Sequence, residues 1–174
     1  MEQSSQLHPY HHIQNAAAVI VFISFLALLT ALISQYVFGL QPCELCIWQR
    51  IPYVFAIAVG LISYGAARQD KAIGNFFLAL AGGIFLIGFG LAVFHVGVEQ
   101  HWWEGLSSCA SGETKNLSID ELREQILKAP VVRCDEAAFT FLGISMAGYN
   151  ALLSFALAMF SFMALKKGLK NHDE

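Results

Sequence analysis

Hydrophobic residues are gathered into four long runs along the chain, and polar residues scarcely interrupt them. The runs extend over residues 16–33, 51–67, 76–98 and 137–165. None of them contains Asp, Glu, Lys or Arg, and none has the polar face at helical period that a surface helix needs. A helix of about 20 apolar residues crosses a bilayer core, where the backbone must satisfy its own hydrogen bonds. We therefore predict an all-α membrane protein, a four-transmembrane-helix bundle, with approximate spans at 16–38, 47–67, 76–98 and 137–165.

Composition supports one integral membrane domain over residues 1–174. Of the residues, 56% are hydrophobic and 13% are charged, whereas soluble domains carry about 25% charged residues. The net charge of -3 and the lack of a basic patch argue against nucleic acid as a partner. Four spans place both termini on one side, with outer segments at 39–50 and 99–136. Lys and Arg are denser beside the spans on the terminal side, which favours cytoplasmic termini.

The longer outer segment has a local helix signal of its own. Ser118 and Glu121 are spaced as a capping box, apolar residues follow at helical spacing, and Pro130 ends the pattern. We predict a short amphipathic helix here, in the second outer loop. It would lie on the membrane surface or simply shorten the loop.

The chain has four cysteines, and all of them fall outside the apolar runs. Cys43 and Cys46 form a C-x-x-C pair between the first two spans, and Cys109 and Cys134 lie in segment 99–136. Paired cysteines persist on the oxidising side of a membrane, which in bacteria is the periplasm. We therefore predict that both cysteine loops are periplasmic, and that a dithiol lies at the edge of the lipid, where its electron partner can be lipid-soluble.

Three interpretations of the cysteines are open from the residues alone: disulfides that brace the loops, a zinc site, or redox exchange. Zinc sites usually combine two short pairs, whereas 24 residues separate Cys109 from Cys134. A disulfide between Cys43 and Cys46 would close too small a loop to stabilise much. Adjacent thiols instead lower each other's pKa and resolve mixed disulfides quickly. We therefore favour redox exchange and predict no metal.

Two ionisable residues are candidates for binding the electron acceptor. Arg50 follows Cys46 by four residues, so a helix starting near Cys46 would stack the guanidinium over the thiol and favour the thiolate. The alternative for Arg50 is an anchor to lipid phosphates. His95 lies inside the third run, where an ionisable group is a functional candidate, although a structural bond between helices is the alternative. We expect Glu99, just beyond it, to be solvated.

The stretch Pro42-Cys43-Glu44-Leu45-Cys46-Ile47-Trp48-Gln49-Arg50 closely resembles the first periplasmic loop of the bacterial disulfide bond formation protein B (DsbB) family. The resemblance extends over the chain: four spans, a P-C-x-x-C-x-x-x-R junction after the first, and a second cysteine pair before the fourth. It implies a protein of the bacterial inner membrane. It also implies an enzyme, a quinone-dependent protein-disulfide oxidoreductase that supports disulfide bond formation.

The resemblance further implies a route for the electrons. A soluble thioredoxin-fold oxidase like DsbA would attack a Cys109–Cys134 disulfide at Cys109. Cys134 would then pass electrons to Cys43 through a transient disulfide between the loops, and Cys46, beside Arg50, would contact a quinone, ubiquinone or menaquinone. His95 is our candidate for the ionisable residue that the family has near the end of the third span.

Two other function classes remain as alternatives. One is a quinone-coupled enzyme resembling vitamin K epoxide reductase, but that family has its C-x-x-C at the start of the last span rather than before the second. The other is a non-enzymatic membrane scaffold with two structural disulfides. A static brace would stay oxidised without quinone, whereas a quinone-coupled enzyme would accumulate reduced cysteines.

Overall fold

The computed structural model describes residues 10–105 and 133–170. Within them the chain forms five α-helices and one two-stranded antiparallel sheet: α1 (Tyr10–Tyr36), α2 (Glu44–Trp48), α3 (Ile51–Ala66), α4 (Lys71–Glu99), β1 (Thr140–Phe141), β2 (Ile144–Ser145) and α5 (Met146–Lys170). The stretches long and apolar enough to cross a membrane are four: His11–Tyr36, Glu44–Ala66, Lys71–Glu99 and Met146–Leu169. The predicted four-span membrane fold is confirmed.

Large apolar side chains face outward along the whole bundle. Phe22, Phe55 and Met163 are exposed by 62%, 58% and 66%, although each lies in the middle of a long helix. A soluble protein rarely exposes so continuous an apolar surface. Lipid removes the cost of this exposure, because hydrocarbon solvates such side chains as well as a protein core does.

The helices pack through small residues and a narrow apolar core. Phe85, Leu78 and Ile20 are almost fully buried in a cluster to which all four long helices contribute. Where α4 meets α5, a Cβ added to Gly82 would lie 3.0 Å from the ring of Phe162. Close approach through glycine is a common device in membrane bundles, where dispersion contacts must hold the helices together.

The observed spans begin at different residues from those that hydrophobicity predicted. Helix α4 begins at Lys71 rather than at 76, because the Asp70 side chain caps it by accepting from the Ala72 backbone N–H at 2.7 Å. The fourth span begins at Met146 rather than at 137. Residues before it form the β1–β2 hairpin, since Leu142 and Gly143 take the positive φ values, 50° and 78°, that a two-residue turn requires.

The two ends of the bundle carry different parts of the chain. His12 from the start of α1 and Lys167 from the end of α5 line one cavity together, so both ends of the described chain lie at the same end of the bundle. The segments around Cys43 and Cys134 lie at the other end, where they share one buried cluster. The predicted helix from Ser118 to Pro130 lies outside the described residues, as does Cys109.

Candidate active site

Cys43 and Cys46 lie on the first turn of the short helix α2. Cys43 is the N-cap, with extended backbone angles, and its Sγ accepts from the Cys46 backbone N–H at 3.3 Å. The two sulfurs are 2.8 Å apart and both cysteines are free. This separation exceeds the about 2.05 Å of a disulfide bond, and the turn holds the two sulfurs side by side.

The two thiols differ in environment. Cys43 is 5% exposed, while Cys46 is only partly buried and lines a cavity. The thiol of Cys43 donates to the sulfur of Cys46. That hydrogen bond, and after it burial, raise the pKa of the Cys43 thiol. Cys43 therefore holds its proton, and Cys46 is the sulfur positioned to act as a thiolate.

Cys43 lies in one buried cluster with Cys134, a member of the second cysteine pair. Cys134 is 1% exposed and disulfide-bonded, and it packs in one buried cluster with Cys43, Leu45 and Val98. Helix α2 and the segment before β1 thus bring one member of each pair together. Sequence analysis had placed the pairs in separate loops and could only infer this proximity from the family resemblance.

His95 connects these parts of the site. Its Nε2 lies 3.6 Å from Cys43 Sγ and 3.8 Å from an oxygen of Glu99, and the ring hydrogen-bonds the main chain of Cys134. Its other nitrogen, Nδ1, lies 2.6 Å from Nε2 of Gln49. The ring is 3% exposed. His95 is therefore a buried group at the centre of the site, in contact with the dithiol.

The expectation that Glu99 is solvated was wrong. Its side chain is 6% exposed, and the hydroxyl of Ser145 donates to its carboxylate. The β1–β2 hairpin positions Ser145 to make this bond. Hydrophobicity could not reveal it, because the hairpin lies in a stretch that was assigned to the fourth span.

Arg50 occupies the turn between α2 and α3. Its Nη1 donates to the side-chain oxygen of Gln35 at 2.8 Å, so the guanidinium is directed toward the end of α1. The predicted stacking over the Cys46 thiol relied on a continuous helix, whereas α2 ends at Trp48 and α3 begins at Ile51. Arg50 and Cys46 instead meet as walls of the same cavity.

That cavity lies between α1 and α5 and has a volume of about 290 Å³. Leu28 and Leu153 form apolar walls, while Cys46, Arg50 and His95 contribute a thiol, a cation and an imidazole. A mostly apolar cleft with a few convergent polar groups is typical of sites for small organic ligands. A flat apolar molecule with carbonyl oxygens would fit this combination of groups.

Further polar residues, missed by sequence analysis, extend the site into the bundle. Asn150 donates from Nδ2 to Oε1 of Gln49 at 2.5 Å, and Tyr53 donates to Oδ1 of Asn150 at 2.5 Å. The Tyr53 oxygen also lies 3.1 Å from the hydroxyl of Ser154. The spacing of Asn150 and Ser154 by four residues inside an apolar run was the available signal, because polar side chains within spans usually bond across helices.

The same groups form a possible metal donor set. One ligand atom each of Cys43, Cys46 and His95 lies within 4.8 Å of the others, and two thiolates with an imidazole suit zinc. Ligation by Nε2 of His95 would require that nitrogen to carry no hydrogen. When the nitrogen of Gln49 donates to Nδ1 of His95, the hydrogen of a neutral ring lies on Nε2 instead. This arrangement disfavours metal binding by Nε2. The prediction that the site holds no metal stays a prediction.

Comparison with known proteins relates the chain to one family. The model of a family described as "Disulfide bond formation protein DsbB" matches residues 14–164. The chain is 34% identical over 140 residues to the disulfide bond formation protein B of Saccharophagus degradans, covering 76% of this chain and 81% of that protein. It is 31% identical over 134 residues to that of Acinetobacter baumannii, covering 75% and 77%. An uncharacterized protein of Rickettsia prowazekii is 32% identical over 144 residues, covering 82% and 81%.

Proposed function

The chain belongs to the DsbB family and is a multi-pass membrane disulfide bond formation protein; from this we propose that it reoxidises a soluble dithiol oxidase and passes the electrons to a quinone. The observation that carries the proposal is that the two sulfurs of the dithiol have different surroundings. Cys43 shares a buried cluster with Cys134, while Cys46 lines the cavity between α1 and α5. One sulfur therefore serves the protein side and the other the membrane side.

On the protein side, exchange would proceed through Cys109 and Cys134. The partner is a thioredoxin-fold oxidase like DsbA, whose thiolate attacks the disulfide at Cys109. Cys134 is released as a thiolate and attacks Cys43 when the first pair is oxidised, which leaves Cys46 as the free thiolate. The position of Cys134 and Cys43 in one buried cluster supports this step, because thiol–disulfide exchange depends on access of one sulfur to the other.

On the membrane side, residues of the cavity would bind and orient the acceptor. A quinone supplies an oxidant that takes up two electrons and two protons, and the two thiols of Cys43 and Cys46 release the same number as they form a disulfide. Arg50 would hold a carbonyl oxygen and stabilise negative charge near it. Cys46 lines this cavity, and this position would bring its sulfur to an acceptor bound there.

The membrane location and orientation belong to the same proposal. Exchange with a soluble oxidase requires both cysteine pairs to face the periplasm of a bacterial inner membrane, with the termini of the chain in the cytoplasm. An oxidising compartment is where disulfides of this kind persist. The reduced quinone would then return its electrons to the respiratory chain.

A thiol-trapping experiment with purified protein tests the proposed function. Reduced protein is mixed with ubiquinone or menaquinone, and free thiols are alkylated over time while quinone absorbance is followed. We expect Cys43 and Cys46 to become oxidised as an equal amount of quinone is consumed. Cys46→Ser should lose quinone consumption entirely, together with any absorption band from a thiolate beside a quinone.

Two variants of the second pair complete this experiment. Cys109→Ser and Cys134→Ser should each abolish oxidation of a DsbA-like partner, while quinone still oxidises Cys43 and Cys46. Normal partner turnover in either variant would reject the relay. A dithiol that no quinone oxidises would instead favour a structural role for the cysteines.

A further inference from the structure

The hydrogen bonds that lead from Tyr53 to His95 have a consistent direction. Oδ1 of Asn150 receives the hydroxyl of Tyr53 at 2.5 Å and that of Ser154 at 3.5 Å. This oxygen is therefore the acceptor side of the amide. The nitrogen of Asn150 is left to face Gln49, and it donates to Oε1 of that residue at 2.5 Å.

The orientation of the Gln49 amide decides whether Nδ1 of the His95 imidazole donates or accepts. Because its oxygen accepts from Asn150, its nitrogen is the atom that lies 2.6 Å from Nδ1 of His95. A side-chain amide nitrogen can only donate, so Nδ1 must accept and carries no hydrogen. In a neutral imidazole the single hydrogen then lies on the other nitrogen, Nε2.

The hydrogen on Nε2 is directed at the reacting part of the site. Nε2 lies 3.6 Å from Cys43 Sγ and 3.8 Å from a carboxylate oxygen of Glu99. The ring also hydrogen-bonds the main chain of Cys134, and with Nδ1 accepting from Gln49 this bond comes from Nε2. The N–H is therefore shared between that main chain and the sulfur of Cys43, where it stabilises negative charge. The reverse tautomer would present a lone pair to the same sulfur and would disfavour a thiolate there.

We propose that Asn150 is a positioning residue that acts through Gln49 to hold His95 in the tautomer with its hydrogen on Nε2. The effect of this tautomer on the redox reaction rests on the proposed function. The tautomer itself can be measured without a quinone. Asn150 lies in α5 and Gln49 follows α2, so these hydrogen bonds connect the fourth span to the cysteine motif.

The consequence concerns the steps in which Cys43 carries negative charge. Its thiol must lose a proton before its sulfur closes the disulfide onto Cys46, and Cys43 is the leaving thiolate when a disulfide between the loops is resolved. Exchange is faster when the leaving sulfur is stabilised as an anion. A donor on Nε2 of His95 provides that stabilisation, and it is needed because hydrogen bonding with Cys46 and burial raise the pKa of Cys43.

The decisive measurement is the ¹⁵N NMR spectrum of the full-length reduced protein labelled at histidine. The His95 signals are identified by their loss in His95→Gln. In the wild-type protein we expect an unprotonated Nδ1 and a protonated Nε2. A wild-type spectrum with the hydrogen on Nδ1 would overturn the proposal.

Asn150→Asp should reverse the direction of these hydrogen bonds while almost preserving the shape of the side chain. A carboxylate only accepts, so the nitrogen of Gln49 would turn toward position 150 and its oxygen toward His95. The hydrogen should move to Nδ1, and oxidation of the dithiol by quinone should slow about tenfold, the order expected for losing one hydrogen bond to a charged group. Ser154→Ala is the matched control, since it removes the longer bond to Asn150 and the contact with Tyr53 but keeps the bond from Asn150 to Gln49. It should leave the tautomer unchanged.

The possible outcomes separate this inference from the proposed function. An unchanged tautomer in Asn150→Asp, with the variant folded by its thermal transition, would show that Asn150 does not position His95. A reversed tautomer with an unchanged oxidation rate would also overturn the proposal, because the orientation would have no effect on Cys43. If wild-type protein shows the expected tautomer but no quinone oxidises it, the proposed function fails by itself.

Discussion

The bundle has a cavity at each end, and the two are almost equal in size but different in content. The cavity beside Cys46 measures about 290 Å³ and the one beside His12 and Lys167 about 280 Å³. The first combines a thiol, a cation and an imidazole with amide and hydroxyl groups. The second also has an imidazole, an amide and a cation, from His12, Asn15 and Lys167, but no thiol or hydroxyl lines it among the described residues. Size alone therefore does not locate the active site.

Hydrogen bonding distinguishes the two ends more clearly than volume does. At the Cys46 end, Tyr53, Asn150, Gln49 and His95 form a continuous chain of hydrogen bonds. At the other end, the buried atoms Nε2 of His12 and Oδ1 of Asn75 have no partner within the described part of the chain. A fully bonded buried network fixes the orientation of its members, which would suit the proposed transfer of electrons.

Removing a cation from each cavity should give the largest difference between the ends. Arg50→Ala deletes the charge beside Cys46 and its bond to Gln35. We expect the KM for quinone to rise about tenfold, the order of one charge-assisted hydrogen bond. Lys167→Ala is the control at the opposite end and should leave KM unchanged. Steady-state quinone reduction measures both, and equal KM values in the two variants would return Arg50 to the role of a lipid anchor.

Matched hydroxyl deletions should separate stability from function. Tyr53→Phe removes the bond to Asn150, and Ser63→Ala removes the bond to the Gly74 carbonyl at 2.9 Å near the other end. Each loss should destabilise the protein by about 1 kcal/mol, seen in thermal melts in detergent. Only Tyr53→Phe should also slow quinone reduction, by a few-fold. A similar slowing in Ser63→Ala would mean that general loosening, rather than the site network, limits the rate.

The smallest effect is expected for an exposed pair at the Cys46 end. Arg133 donates to both carboxylate oxygens of Asp135, at 2.9 and 2.6 Å, and chiefly through these bonds lowers the pKa of Asp135. The pair therefore stabilises the folded state above the ordinary pKa of about 3.9, and this contribution is lost as the pH falls through the lower folded value.

The melting temperature between pH 6 and pH 3 measures that contribution. Wild-type protein should melt slightly above Asp135→Asn at pH 6, and the two should converge toward pH 3. Both groups are exposed to solvent, so the difference should be small and should shrink further in salt. A large and salt-independent difference would instead mean that the pair supports the buried cluster around Cys134.

Several parts of the site could be predicted from the sequence because their signal is local. Cys43 and Cys46 share one turn, so the C-x-x-C spacing alone brings their sulfurs together. Arg50 and His95 were notable as ionisable groups next to or inside apolar runs, and both line the cavity. Gln49 was part of the motif, but nothing in its neighbours along the chain indicates that its partners are His95 and Asn150, which lie 46 and 101 residues away.

The sequence by itself determined that the chain crosses a membrane four times and carries a C-x-x-C pair beside the second span, because hydrophobic length and cysteine spacing act over short distances. Only the tertiary structure decided which polar groups meet. The bond from Asn150 to Gln49 and the position of Cys134 in one buried cluster with Cys43 both depend on how helices align and how a hairpin turns at Gly143. Such contacts depend on packing between segments that are distant in sequence. Rotation of one helix about its axis would give each of its side chains a different partner.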